Sequence, residues 1–237
     1  MKRKIDEWEE KGNKHLNMQG NKIPLPYHKV ISDLVVKYSS NGDEFLDIGC
    51  GIGQLCALVD EKSKGMRDIY IADAYPICLE ETAQRIMPKA QYHIDEKEFD
   101  VVQKINKNFD VVVMSHVLEH MLNPVQAVQD ALSLVKDGGY LILAVPNPAR
   151  PNVLISNITK THYVNRGHVA TWDMSHWINF LEKILGLNVV EYQNDYIQMK
   201  GCNRIPVIMK FGEMLGKFLP WWCFSNIAVI KKENSEA

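Results

Sequence analysis

The chain has 237 residues, 46% of them hydrophobic and 24% charged, a balance that allows a buried core and excludes the low-apolar, highly charged signature of disorder. Its 27 Lys and Arg against 29 Asp and Glu leave a formal charge of -2, so no broad basic surface is available to track a nucleic-acid backbone. No run is long and apolar enough to span a bilayer, and the 5 scattered cysteines lack a C-x-x-C pair, which argues against a disulfide framework or zinc knuckle. A cytoplasmic protein with reduced thiols is expected.

Residues 1–23 are polar and read as an arm ahead of a domain spanning 24–237. From Tyr27 to Tyr38, apolar residues at Val30, Ile31, Leu34, Val35 and Tyr38 make the stripe of an amphipathic helix. Phe45 to Ile48 is a short strand closed by glycines, and Gln54 to Lys62 follows with helical spacing. Asp68 to Ala72 is a second strand, Ile77 to Ile86 a second crossover helix and Tyr92 to Ile94 a weaker strand. Phe109 to Met114 and Tyr140 to Val145 are strong strands, separated by a helix at Val125 to Val135 that Lys136-Asp137-Gly138-Gly139 should end with a turn. Residues 146–170, rich in Pro, Asn and Gly, read as a long loop. A helix at Asp173 to Leu185 and a strand at Leu187 to Tyr192 come next, and after a Met-, Phe- and Trp-rich piece the chain ends in the strand-like SNIAVI. Short strands alternating with helices mean βαβ crossovers and a largely parallel sheet covered on both faces, so the fold class is doubly wound α/β in a single domain.

The segment Phe45-Leu-Asp47-Ile-Gly49-Cys50-Gly51-Ile-Gly53-Gln54 places a glycine turn between a strand and a helix, where backbone N–H groups can approach a ligand. A dinucleotide fingerprint needs a third glycine where Gln54 stands, and Asp47 would repel a pyrophosphate but attract an ammonium. A nucleoside carrying an amino acid fits better. Asp73, at the tip of the second strand, is placed to accept hydrogen bonds from two ribose hydroxyls, although an ordinary solvated loop acid would look the same in isolation.

With these pieces in place the chain resembles the class I S-adenosylmethionine-dependent methyltransferases, above all the small-molecule subgroup that includes ubiquinone and polyketide methylases. The resemblance rests on FLDIGCGIGQL (45–55), IYIADAYP (69–76), QYHIDE (91–96), FDVVVMSHVLEHMLNP (109–124) and LVKDGGYLILAVPNP (134–148), in the family's order. It implies a Rossmann-like seven-stranded sheet with an antiparallel last strand and S-adenosylmethionine as cofactor. It also implies that Asp47, Gly49, Cys50, Gly51 and Gly53 cradle the methionine part, Asp73 and Ala74 the ribose, and Asp95 and Glu96 the adenine edge. His116 and Val117 would line the cofactor near the sulfonium.

His116-Val-Leu-Glu119-His120 also spells H-x-x-E-H, a pattern of inverted zinc peptidases. Its place directly after a buried strand, with Leu122-Asn123-Pro124 ending any helix early, favours a structural Glu119 and His120 and no metal. His168, at the end of the long loop, is the candidate base, since an imidazole titrating near neutrality suits removal of a hydroxyl proton. Tyr27, His162, Tyr163 and Arg166 are candidate acceptor contacts, as is His28, and residues 146–170 and 196–222 are the acceptor-side loop and lid elements. The stripe Phe211, Met214, Leu215, Phe218, Leu219, Trp221 and Trp222 reads as core or dimer packing ahead of an apolar-acceptor lid or a peripheral membrane patch. Ser115-His116-Val117-Leu118 stands where nucleic-acid and amide N-methylases carry an N-P-P-Y-like tetrapeptide, which turns the expectation toward O-methylation of a metabolite, glycan precursor or quinone-like lipid and away from nucleic acid. A nicotinamide-dependent oxidoreductase and a non-catalytic methyltransferase-like module are the alternatives. The oligomeric state is left open.

Overall fold

A computed structural model describes residues 24–159, 167–198 and 206–234. The polar arm and the candidates His162, Tyr163 and Arg166 lie outside the described residues. The elements in chain order are α1 (Pro26–Lys37), β1 (Glu44–Ile48), α2 (Gln54–Ser63), β2 (Asp68–Asp73), α3 (Pro76–Arg85), β3 (Ala90–His93), α4 (Val101–Lys104), β4 (Phe109–Ser115), α5 (Pro124–Ser133), β5 (Val135–Pro146), α6 (Pro151–Thr159), α7 (Met174–Ile178), β6 (Val189–Asn194), α8 (Pro206–Phe218) and β7 (Ser225–Lys231). A 3₁₀ turn at Leu118–His120 follows β4, and Asn179–Ile184 continues α7 as a π-helical turn.

The strands form a seven-stranded sheet in the order β3-β2-β1-β4-β5-β7-β6, with β7 antiparallel to both β5 and β6. The fold is therefore the doubly wound, single-domain α/β architecture expected. Alternation along the strands sorts the core into two layers. Leu46, Ile48, Val112, Met114, Leu141 and Leu143 face α5 and the α7 segment, where Ala127, Val128, Ala131, Trp177, Phe180 and Leu181 are buried. Phe45, Ile69, Ile71, Val111, Val113, Ile142 and Val229 face α1, α2 and α3. Each such side chain removed from water contributes about 1.5–3 kcal/mol, and this burial holds the strand tips level where the ligand turn must sit.

Several details differ from the sequence reading. Residues 151–159 are helical, because Pro151 occupies the first helical position, where a missing N–H costs nothing; the prolines that suggested a loop open α6 just as Pro26, Pro76 and Pro124 open α1, α3 and α5. The turn expected at Lys136–Gly139 is instead an irregular beginning of β5: Val135 already pairs with Phe109, and the register shifts before Val111 meets Tyr140. β6 starts two residues later than Leu187, and the short α4 carries too few residues to show periodicity.

The expected core packing of the C-terminal stripe is corrected. Phe218 is 75% and Trp221 64% exposed, and Phe211, Met214 and Trp222 also lie open. The buried side of α8 is made by Gly212 and Gly216. A methyl group on Gly216 would come within 3.0 Å of the Asp195 carbonyl and the Cys223 Sγ, and Ile197 N–H donates to the Gly212 carbonyl at 3.1 Å. The helix docks by its bare backbone, which turns its large residues outward. No helix among the described residues is long and apolar enough to cross a membrane.

Candidate active site

The strand-tip turn is built for backbone approach. Gly49 has φ +79°, and a Cβ there would lie 2.2 Å from Val117 Cγ2; at Gly53, with φ +75°, it would lie 2.8 Å from Thr82 Cγ2. Only glycine meets both the left-handed conformation and the space. Gly49 N–H and Cys50 N–H both point to the Ala72 carbonyl, at 2.7 and 3.2 Å, tying the turn to the neighbouring strand. Thr82 from α3 donates its hydroxyl to the Gly51 carbonyl at 3.0 Å.

Two carboxylates are buried beside this turn. Asp47 is 2% exposed, and its one described hydrogen bond comes from the Cys56 thiol at 3.2 Å. Burial, with a smaller contribution from the Asp73 charge, pushes its carboxyl up to about 7. Asp73 accepts from Gly51 N–H at 2.9 Å and Tyr75 N–H at 2.8 Å. Burial nevertheless raises its carboxyl to about 6. Two buried acids without a cationic partner among the described residues fit a ligand bearing an ammonium and a diol, because such a ligand supplies the missing positive charge and can donate to the lone pairs left beside the bonds they already accept.

The remaining predicted cofactor positions lie along the same sheet edge. Ala74 follows Asp73, and its carbonyl lies 3.1 Å from His93 Nε2. Asp95 caps its own turn, accepting from Lys97 N–H at 2.7 Å and Glu98 N–H at 3.0 Å, while Glu96 accepts the Tyr75 hydroxyl at 3.0 Å. Cys50 is buried against Thr82, and burial drives its thiol well above the usual range. His116 leaves β4 at φ +56°, an unusual conformation for a side-chain-bearing residue, and Val117 closes on Gly49.

On the far side of His116 the site becomes aromatic and titratable. The Tyr27 ring lies 4.6 Å from the His116 ring and 5.8 Å from Phe224, centroid to centroid. Burial foremost, then Asp195, Glu119 and Asp47, push the Tyr27 hydroxyl up, so it stays neutral. His28 accepts Leu25 N–H at 3.0 Å, and burial holds its imidazole down at about 3, which suits that acceptor role rather than acceptor binding. His116 Nε2 is 2.9 Å from Ser225 Oγ, and Nδ1 faces Glu119 Oε1 at 3.6 Å. Asp195, which no motif signals, receives N–H groups from Tyr196, Phe224 and Ser225 at 2.6, 2.9 and 3.1 Å, and burial raises it to about 6. A lone acid between two strands has no spacing that marks it, so only the tertiary structure finds it.

Glu119 ties the loop with its backbone: its carbonyl accepts Val169 N–H at 2.7 Å and Ala170 N–H at 3.2 Å. Its carboxylate is 1% exposed. Burial alone would raise it, but His116 and then His120 reverse the direction and hold it below the usual carboxylate range. His116 and His120 do not share an α-helix face, since only a 3₁₀ turn spans Leu118–His120. His168 joins this group, with Nε2 at 3.9 Å from Glu119 Oε1; burial, partly opposed by Glu119, keeps its imidazole low and neutral.

The family model of the methyltransferase domain matches residues 25–192. The chain belongs to that family. Its cofactor is S-adenosylmethionine, and the nicotinamide alternative falls away. The ubiquinone biosynthesis O-methyltransferase of Maricaulis maris is 28% identical over 116 residues, 45% of this chain and 41% of that protein. The chain thus matches less than half of that curated relative. Among solved structures, a chain in the complex between the Haloferax volcanii Trm112 methyltransferase activator and a methyltransferase superposes with TM-score 0.65 at 13% identity, covering 98% of both chains. An S-adenosylmethionine-dependent methyltransferase from Archaeoglobus fulgidus superposes with TM-score 0.58 at 19% identity, covering 86% of this chain and 92% of that one. Both superpositions show a shared fold.

Proposed function

We propose that this methyltransferase O-methylates a small-molecule acceptor, a metabolite, glycan precursor or quinone-like lipid, with the acceptor held between the sulfonium-facing residues and the Glu119–His168 group. The observation that carries the reading is the imidazole cluster directly beside His116 and Val117, where a hydroxyl would meet the methyl group. S-adenosylmethionine supplies a methyl carbon activated by its sulfonium. In the proposed arrangement Asp47 pairs the ammonium, Asp73 and Ala74 the ribose, and Asp95 and Glu96 the adenine amino edge, while Gly49, Cys50, Gly51 and Gly53 keep the turn open to the methionine chain.

The transfer makes an O–C bond as the C–S bond breaks, and the bonding pair stays on sulfur. Because the leaving group is already activated, the chain's own task is positioning and acceptance of one proton. His168, neutral and half-buried, is suited to take that proton from a hydroxyl. Tyr27 would pack on the acceptor or on the methyl-bearing side of the cofactor, and His162, Tyr163 and Arg166 complete the proposed acceptor contacts. The ubiquinone pathway named for the Maricaulis maris relative supports an apolar acceptor. A reducing, cytoplasmic setting belongs to the same proposal, supported by the buried free thiols of Cys50, Cys56, Cys78 and Cys223.

Calorimetric titration with S-adenosylhomocysteine, followed by transfer of a labelled methyl group to a panel of phenols, sugar hydroxyls and amines, tests this. Labelling of hydroxyl acceptors is the expected result. Transfer to amines alone would overturn the O-methylation reading. His168→Ala should lower turnover while S-adenosylhomocysteine affinity stays within about twofold, and full activity in that variant would remove it as the base.

A further inference from the structure

We propose that Glu119, His120 and His168 form a binding site for one divalent transition-metal ion at the acceptor side of the cofactor cleft. The three residues come from two segments clamped together by backbone: the 3₁₀ turn after β4, and the loop before α7 whose Val169 and Ala170 N–H groups donate to the Glu119 carbonyl. One ligand atom from each lies within 4.8 Å of the others. His120 Nε2 and His168 Nε2 both face Glu119 Oε1 at 3.9 Å, too far for a hydrogen bond. The polar atoms converge on a common point without bonding one another.

Two further observations indicate a cation there. Glu119 Oε2 is buried and has no hydrogen-bond partner among the described residues, a costly arrangement for a carboxylate unless another group completes it. His120 Nδ1 lies 2.7 Å from the Gly167 carbonyl, and an imidazole nitrogen can bond a carbonyl only as an N–H donor. In the neutral ring this leaves the Nε2 lone pair facing Glu119, the tautomer and carbonyl-fixed orientation of a metal-ligating histidine.

Two imidazole nitrogens and a carboxylate suit Zn²⁺, Co²⁺ or Fe²⁺ better than Mg²⁺ or Ca²⁺. Ligand atoms around a tetrahedral ion bound at about 2.1 Å stand about 3.4 Å apart, so the observed spacing needs only a contraction of side-chain rotamers. Three protein ligands leave a coordination position open. That position is open to a water or to the acceptor oxygen, a role that rests on the O-methylation reading above, and His168 serves as the proposed base only in the metal-free protein.

The test is a titration of chelator-treated, dialysed protein with Co²⁺ and with Zn²⁺, without cofactor or acceptor, read by Co²⁺ visible absorption and calorimetry. One saturable equivalent is expected. Glu119→Gln and His168→Ala should each weaken it by at least about tenfold, with S-adenosylhomocysteine affinity and circular dichroism retained, and His176→Ala, an exposed imidazole outside the cluster, should bind as the parent does. Absence of saturable binding, or parent-like binding in folded Glu119→Gln or His168→Ala, would overturn the site. Should Glu119→Gln fail to fold, His120→Ala and His168→Ala carry the comparison. S-adenosylhomocysteine titration of the parent protein reads the cofactor side separately, so a missing metal site and a mistaken methyltransferase reading give different results.

Discussion

Residues 45–120 and the described parts of residues 146–234 meet around His116 and Glu119 by different means. The first stretch presents backbone: glycines at fixed spacing, strand tips held level by two apolar layers, and two acids buried at the ends of adjacent strands. The second presents side chains carried on connecting segments, with a glycine-docked helix and a loop clamped through Glu119. A turn made of backbone tolerates almost no added atom, because Val117 and Thr82 already fill the space beside Gly49 and Gly53. A site made of side chains on connectors can change its occupant by changing a few residues, which is the division expected when one cofactor serves many acceptors.

Substitution at the backbone half should therefore be the most damaging. Gly49→Ala should reduce S-adenosylhomocysteine affinity or global stability by more than about 2 kcal/mol, since the left-handed conformation alone costs about 1–2 kcal/mol with a side chain and the methyl group would strike Val117. Combining it with Val117→Ala should recover only part of the loss, and full recovery would show that conformation matters less than space. Asp73→Ala should weaken cofactor affinity by about 1–3 kcal/mol, the cost of leaving buried partners unpaired; an unchanged affinity by calorimetry would move the ribose contact elsewhere.

The next effect concerns pH. Asp47 titrates near 7 in the folded chain against 3.8 for an ordinary aspartate. The stability associated with its proton is present below 3.8 and is lost as pH rises toward about 7. An ammonium prefers the ionised carboxylate, so S-adenosylhomocysteine affinity should fall severalfold from pH 7.5 to 6, and the thermal shift it produces should grow over the same interval as pH rises. Asp47→Asn should flatten both profiles. The smallest effect is expected on the opposite half: Phe218→Ser and Trp221→Ser should change stability by no more than about 0.5 kcal/mol, as for exposed positions generally. A larger loss on chemical denaturation would mean these residues are covered in solution.

Much of the backbone half was legible in the sequence because its signals are local. The apolar run Phe109–Met114, glycines at 49, 51 and 53, and Asp73 twenty residues beyond Gly53 each announce a conformation or a contact within a short window. The other half resisted for specific reasons. Pro148 and Pro151 read as loop residues, though Pro151 is a helix opener. In α8 the large residues suggested a buried stripe, while the face that docks is marked only by Gly212 and Gly216. His168 could be named as a candidate, but its meeting with Glu119 and His120 depends on chain folding across 48 positions, which no spacing rule encodes.

The docking of α8 through glycine also sets how the molecule breathes. A helix that buries two bare backbone positions and leaves its large side chains in water gives up little apolar contact when it lifts away, so its opening free energy lies far below that of the central strands. Its amides should exchange with solvent deuterium through local fluctuations while those of β4 and β5 wait for global unfolding. The C-terminal helix can thus open and reclose on its own, without loosening the glycine turn after β1.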